Sequence, residues 1–160
     1  MKARLFSMMM LGLGAAAIAS LPVSAQAQST DYNYVGLGVG VGEIGDSDVD
    51  LAVTSKFSVG NNLSVRPGVV SDLNFSGDGA TQFTVPLTYD FNAITRDGKL
   101  LPYAGGGVAV TTEGNGDVGP LLTAGLDYRL NDRVTLNGGV NLSFYDNTTV
   151  NGVVGIGYTF

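Results

Sequence analysis

The chain has 160 residues, 24 of them glycine, with no Cys, His or Trp and a formal net charge of −6. No disulfide can form, and neither imidazole nor thiol chemistry is available for catalysis. The acidic balance also argues against a nucleic-acid partner, because phosphate binding rests on Lys and Arg.

Residues 1–27 read as a secretory signal peptide. Lys2 and Arg4 supply the positive start, an apolar run follows, and the small-residue sites "VSA" and "AQA" place cleavage after Ala25 or Ala27. Pro22 and those two sites favour cleavage over a retained anchor. The remaining domain, 28–160, carries six basic against fourteen acidic residues. It contains no run of ~20 apolar residues that could form a transmembrane helix.

Its hydrophobicity instead alternates with a period of two, in eight segments. The first, "YVGLGVGV", sets Val35, Leu37, Val39 and Val41 against Tyr34 and three glycines. The second, "VDLAVTSKFSV", sets Leu51, Val53 and Phe57 against Asp50, Thr54 and Lys56. The third is "LSVRPGVV", with Leu63, Val65 and Val69 against Ser64, Arg66 and Gly68. The fourth, "QFTVPLTYDF", sets Phe83, Val85, Leu87, Tyr89 and Phe91 against Thr84, Pro86, Thr88 and Asp90.

In the fifth, "LPYAGGGVAV", Val108 and Val110 suggest one phase while Leu101 and Tyr103 suggest the other. The sixth, "VGPLLTAGLDYRL", sets Leu122, Leu126, Tyr128 and Leu130 against Thr123, Asp127 and Arg129. The seventh, "VTLNGGVNLSFY", sets Leu136, Val140, Leu142 and Phe144 against Asn137, Asn141 and Ser143. The eighth runs from about Thr149 to Phe160, with Val154, Ile156, Tyr158 and Phe160 on one face. Turn-forming clusters separate the segments. Three-residue turns at 60–62 and 131–133 would pair Val59 with Leu63 and Leu130 with Val134, keeping apolar residues on one face.

A soluble barrel or sandwich would show a charged face to water. The non-apolar face here is mostly Gly, Thr, Ser and Asn, which suits a narrow lumen, while the bulky apolar face suits lipid. The expected fold is therefore all-β: a closed, antiparallel, up-and-down, eight-stranded transmembrane β-barrel. An open edge in hydrocarbon would leave backbone groups unsatisfied, so closure is required.

The signal peptide, the eight strands, "PYAGGGVA" and the terminal "GIGYTF" resemble the small outer-membrane barrels of Gram-negative bacteria, of the OmpA transmembrane-domain and OmpX type. The resemblance covers the whole domain. It implies export through the Sec pathway, an outer-membrane location, lipid as surroundings and a monomer. It also implies a C-terminal signal read by the barrel-assembly machinery. Gly155, Tyr158 and Phe160 occupy that signal's positions, although Val153 stands where a polar residue is usual. Enzymes of this architecture rely on His, so a non-enzyme with no cofactor and no dedicated metal centre is expected.

Both termini of such barrels lie in the periplasm. That orientation puts Glu43, Asp46, Asp48, Asp72, Asp78, Glu113, Asp117 and Asp146 in external loops free of Lys and Arg. They form either solvated loops or an acidic rim that draws divalent cations. Asp50, Lys56, Arg66, Asp90, Asp127 and Arg129 point inward as a lumen charge cluster, with Lys56 opposite Arg66. Two functions fit: a structural or surface-interaction barrel in the envelope, or a narrow channel for ions or small solutes. The Gly-rich lining keeps the channel open as an alternative. Pro67 and Pro86 on neighbouring strands add a variant of it, lateral release of apolar solutes through a weakened seam.

Overall fold

The computed structural model describes residues 30–42, 49–73 and 79–160. The expected leader with its cleavage sites, and the acidic residues Glu43, Asp46, Asp48 and Asp78, lie outside them. Every period-two segment forms a strand: β1 (Tyr34–Gly42), β2 (Asp50–Gly60), β3 (Leu63–Val65), β4 (Gly68–Ser71), β5 (Thr81–Asp90), β6 (Leu100–Thr111), β7 (Asp117–Asn131), β8 (Val134–Phe144) and β9 (Thr148–Thr159). All paired neighbours are antiparallel. β1 pairs with both β2 and β9, which closes the ring; Tyr34 faces Thr159 and Lys56 in that closure.

Nine segments make eight staves, because the third is split at Arg66–Pro67 into β3 and β4. The split is local. Phe57 pairs with Val65 and Thr54 with Gly68, so the register continues unbroken across it. Pro67 cannot donate to the ladder, and the Ser55 hydroxyl donates to the Pro67 carbonyl there at 2.6 Å. On the other side the Arg66 N–H reaches the Pro86 carbonyl at 3.0 Å. The seam is therefore still bridged at the level of both prolines.

The turns differ from the three-residue expectation. Gly60, not Val59, pairs with Leu63, and Asn131, not Leu130, pairs with Val134; each hairpin has a two-residue turn with a bulge beside it. The extra residue restores the alternation, so Tyr128 still faces Leu136. The bulge lets a tight turn follow an apolar-out strand without reversing its faces.

Burial is inverted relative to a water-soluble domain. Leu37 is 60% exposed and Ile156 53%, while Lys56 and Asp127 are 0% exposed. Each large apolar side chain left in water forgoes about 1.5–3 kcal/mol. Rows of them around the whole wall demand an apolar surround. The exposed aromatics gather at the end that holds the termini: Phe57, Tyr89, Phe91, Tyr158 and Phe160. Phe83 and Phe144 mark the opposite end. The fifth stave has one phase after all, with Val108 and Val110 outward and Leu101 and Tyr103 buried in the lumen.

Candidate functional site

Lys56 on β2 and Arg66, in the break between β3 and β4, stand side by side and point inward. Two adjacent cations repel unless carboxylates lie between them. Asp90, at the end of β5, supplies one: its carboxylate lies 3.2 Å from Lys56 Nζ and 2.9 Å from Arg66 Nη2. Asp127 reaches across from β7 and takes Arg66 as a bidentate partner, Nη2 to Oδ2 at 2.8 Å and Nη1 to Oδ1 at 3.3 Å. Two cations and two anions make the cluster neutral. The remaining donors are also used: Ser64 donates to Asp90, Arg66 Nε to Thr88 at 3.1 Å, and Lys56 to the Thr30 carbonyl at 2.7 Å.

Aromatic residues close the cluster on both sides. The Arg66 guanidinium lies 3.6 Å from the centroid of the Tyr103 ring. Towards the terminal end, Lys56 Nζ sits 3.3 Å from the Tyr32 ring centroid. Tyr32 donates to Asp127 at 2.6 Å, and Tyr34 donates to the same carboxylate at 3.2 Å. Tyr32, Tyr34, Ala93 and Leu101 form a buried apolar floor beside it. Cation–π and charge-assisted bonds of this kind gain strength where water is excluded.

The glycine lining does not leave the lumen empty. Tyr103 pairs with Gly125, and Gly125 with Gly139. A Cβ on Gly125 would stand 2.5 Å from the Tyr103 hydroxyl oxygen, and one on Gly139 would also strike it. The two glycines make the space that the ring fills. Beyond the cluster a cavity of about 50 Å³ remains, bordered by Thr54, Arg66, Gly68, Thr84, Tyr103 and Asn137. That is room for a few waters.

Towards the opposite end, Ala52, Val70, Ala80 and Val153 form a second apolar layer. A neutral network accompanies it: Asn151 donates to Gln82 at 2.6 Å, Asn141 to Asn151 at 3.0 Å, and Gln82 to Ser143 and Tyr145 at 3.2 and 3.0 Å.

Of the six lumen residues named from the sequence, the structure joins Lys56, Arg66, Asp90 and Asp127. Asp50 is elsewhere, at the start of β2 near the opposite mouth. It is 3% exposed, and neither carboxylate oxygen has a hydrogen-bond partner. Arg129 lies at the terminal mouth with its guanidinium 4.8 Å from the Tyr32 ring, outside the ion-pair network. Tyr32, Tyr34 and Tyr103 complete the cluster but were not among the candidates. Tyr34 and Tyr103 carried a signal, since each breaks an otherwise small-residue face.

Among the other named residues, Gly155 faces the lumen while Tyr158 and Phe160 face outward. Asp72 accepts the Ala80 N–H at 3.0 Å. Glu113 and Asp117 are exposed in the β6–β7 hairpin. Among the described residues, no group of three or more acidic side chains gathers as a metal centre.

No family model matches this chain, and no curated relative matches it. Solved structures do. The N-terminal β-barrel domain of Pseudomonas aeruginosa OprF aligns with a TM-score of 0.64 at 11% identity, over 83% of this chain and 100% of that one. A de novo designed transmembrane β-barrel gives 0.60 at 18%, over 84% and 100%. The outer-membrane protein OprG from Pseudomonas aeruginosa gives 0.55 at 16%, over 86% and 99%. With the closed eight-stave ring and the apolar exterior, these likenesses show that the chain has the fold of the small outer-membrane β-barrels.

Proposed function

We propose that this protein is a monomeric, non-enzymatic, integral barrel of a Gram-negative outer membrane, with a structural or surface-contact role and a sealed lumen. The observation that carries the reading is the Lys56–Asp90–Arg66–Asp127 cluster. It is neutral and fully bonded, and Tyr103 and Tyr32 close it above and below. An ion crossing it would have to displace charge-assisted bonds and enter apolar layers on either side, where desolvation alone costs several kcal/mol. Eight-stranded barrels in general enclose only enough space for side chains. The channel alternative and its lateral variant have no comparable support.

In this reading the end holding Tyr34 and Phe160 faces the periplasm, and the β1–β2, β4–β5, β6–β7 and β8–β9 connections face outward. The aromatic band at the terminal end then lies at the inner interface, where amphipathic rings settle. The leader directs Sec export, and the last strand is offered to the barrel-assembly machinery.

Planar-bilayer recording on refolded protein tests the sealed lumen. The expected result is no stable conductance steps in the wild type. Reproducible, ion-selective steps that change on Lys56→Ala or Arg66→Ala would overturn it in favour of the channel.

A further inference from the structure

Asp50 presents a carboxylate that nothing among the described residues balances. It is the inward residue of β2 at the mouth opposite the termini, and its carboxylate is buried without a hydrogen bond. Gly40 pairs with it across β1 and offers no side chain, and Val70 lies against the same space. Ala52 and Ala80 nearby are also apolar and buried. On the other flank the register Leu51 to Ser71 sets Asp50 opposite Asp72, and Asp72 is the charged group that acts on it.

An isolated carboxylate in such surroundings is strongly disfavoured, and a second one across the ladder makes matters worse. Among the described residues no cation pairs with it. The chain's basic residues after the leader are Lys56, Arg66, Arg96, Lys99, Arg129 and Arg133. Lys56 and Arg66 are held by Asp90 and Asp127. Arg96 and Lys99 lie in the β5–β6 connection, Arg129 near the end of β7, and Arg133 in the β7–β8 turn, all at the terminal end. The described residues offer Asp50 no cation, and an ion from solution would supply one.

We propose that Asp50 and Asp72 form a binding site for a hard divalent cation, Ca²⁺ in type, at the loop end of the lumen. The donors at this mouth are oxygens, and the chain has neither His nor Cys. Such a set selects an alkaline-earth ion over a softer metal. Two carboxylates with water and carbonyl oxygens completing the shell place the affinity in the weak, extracellular range. The ion would neutralise the mouth above the Ala52–Val70–Ala80–Val153 layer and tie β2 to the β4–β5 connection. The site is at the far end from the sealing cluster and stands whether or not the barrel conducts.

The test is calcium titration of the refolded mature chain, stripped of metal with a chelator, by calorimetry and by thermal unfolding. The expected result is one saturable site with half-saturation at about 0.1–1 mM and an unfolding midpoint that rises with Ca²⁺. Asp50→Asn should weaken binding roughly tenfold or more. Its metal-free form should be at least as stable as wild type, since an unpaired buried charge is gone. Asp72→Asn should weaken binding less, and Glu113→Gln, an exposed acid at the same end, should leave it unchanged. Absence of saturable binding in the wild type would overturn the proposal, leaving Asp50 as a protonated carboxyl. Undiminished binding by Asp50→Asn would overturn it in favour of the exposed loops. Amide NMR shifts on Ca²⁺ addition to the wild type give the same decision if the variant fails to refold. Shifts at Asp50, Leu51 and Asp72 support the site, and shifts without them refute it.

Discussion

Arg66 and Asp127 stand on staves that never touch, the third and the sixth, and meet across the lumen as a bidentate pair with its shorter bond at 2.8 Å. The pair acts as a strut across the barrel's width, tying two walls that backbone hydrogen bonds connect only through intervening strands. Removing one partner would leave a buried, partly uncompensated charge. Asp127→Ala should therefore lower the unfolding free energy by about 3–5 kcal/mol. Urea unfolding of refolded protein measures this, and a loss under ~1 kcal/mol would show that the strut carries little.

The fit of Tyr103 against Gly139 predicts a coupled pair. Gly139→Ala puts a methyl group into the Tyr103 hydroxyl, and overpacking of this kind costs about 1–3 kcal/mol. Tyr103→Phe removes the obstructing oxygen, so Gly139→Ala should cost clearly less in that background. A double-mutant cycle reads the difference as an interaction energy of ~1 kcal/mol or more. Additive effects would mean that the ring and the glycine do not constrain each other.

Most of the wall was legible from period-two hydrophobicity, because a barrel with one greasy and one polar face writes its register into every strand. The Lys56–Arg66 juxtaposition followed from that register alone. What did not follow was distance around the ring. Asp90, Asp127 and Asp50 are all inward acids by parity, yet only closure of the barrel reveals that two reach Arg66 and the third stands near the opposite mouth. The lumen's filling was also hidden. Glycine in a sequence reads as free space, and only the cross-strand placement of Tyr103 over Gly125 and Gly139 shows that the space is taken. The turn bulges escaped for a simpler reason: a three-residue turn and a two-residue turn with a bulge preserve the same alternation.

The β5–β6 connection supplies a titration that can be checked outside the membrane span. Asp97 is held below the usual aspartate range, chiefly by its hydrogen bond with the Thr95 hydroxyl. A carboxyl depressed in the folded state adds stability above its unfolded pKa and loses it as pH falls through the folded one. Thr95→Val should let the Asp97 pKa rise towards its ordinary value of 3.8. NMR titration of the carboxyl between about pH 2 and 6 spans that range. An unmoved midpoint would assign the effect to the neighbouring backbone instead.

Phe160 allows assembly to be separated from stability. Its backbone N–H donates to the Asn33 carbonyl at 3.0 Å, while its side chain is 63% exposed on the outer wall. Phe160→Ala keeps that backbone bond and removes only an outward ring, so the refolded protein should lose about 1–2 kcal/mol at most. If the terminal aromatic is also the address for assembly, the amount of correctly inserted barrel in cells should fall severalfold, far more than that loss accounts for. Refolding yield in detergent, set beside the heat-modifiable fraction recovered from outer membranes, distinguishes the two roles. Parallel, small decreases in both would reduce Phe160 to a lipid contact. A selective loss in cells would make it the residue by which the chain is recognised before it closes.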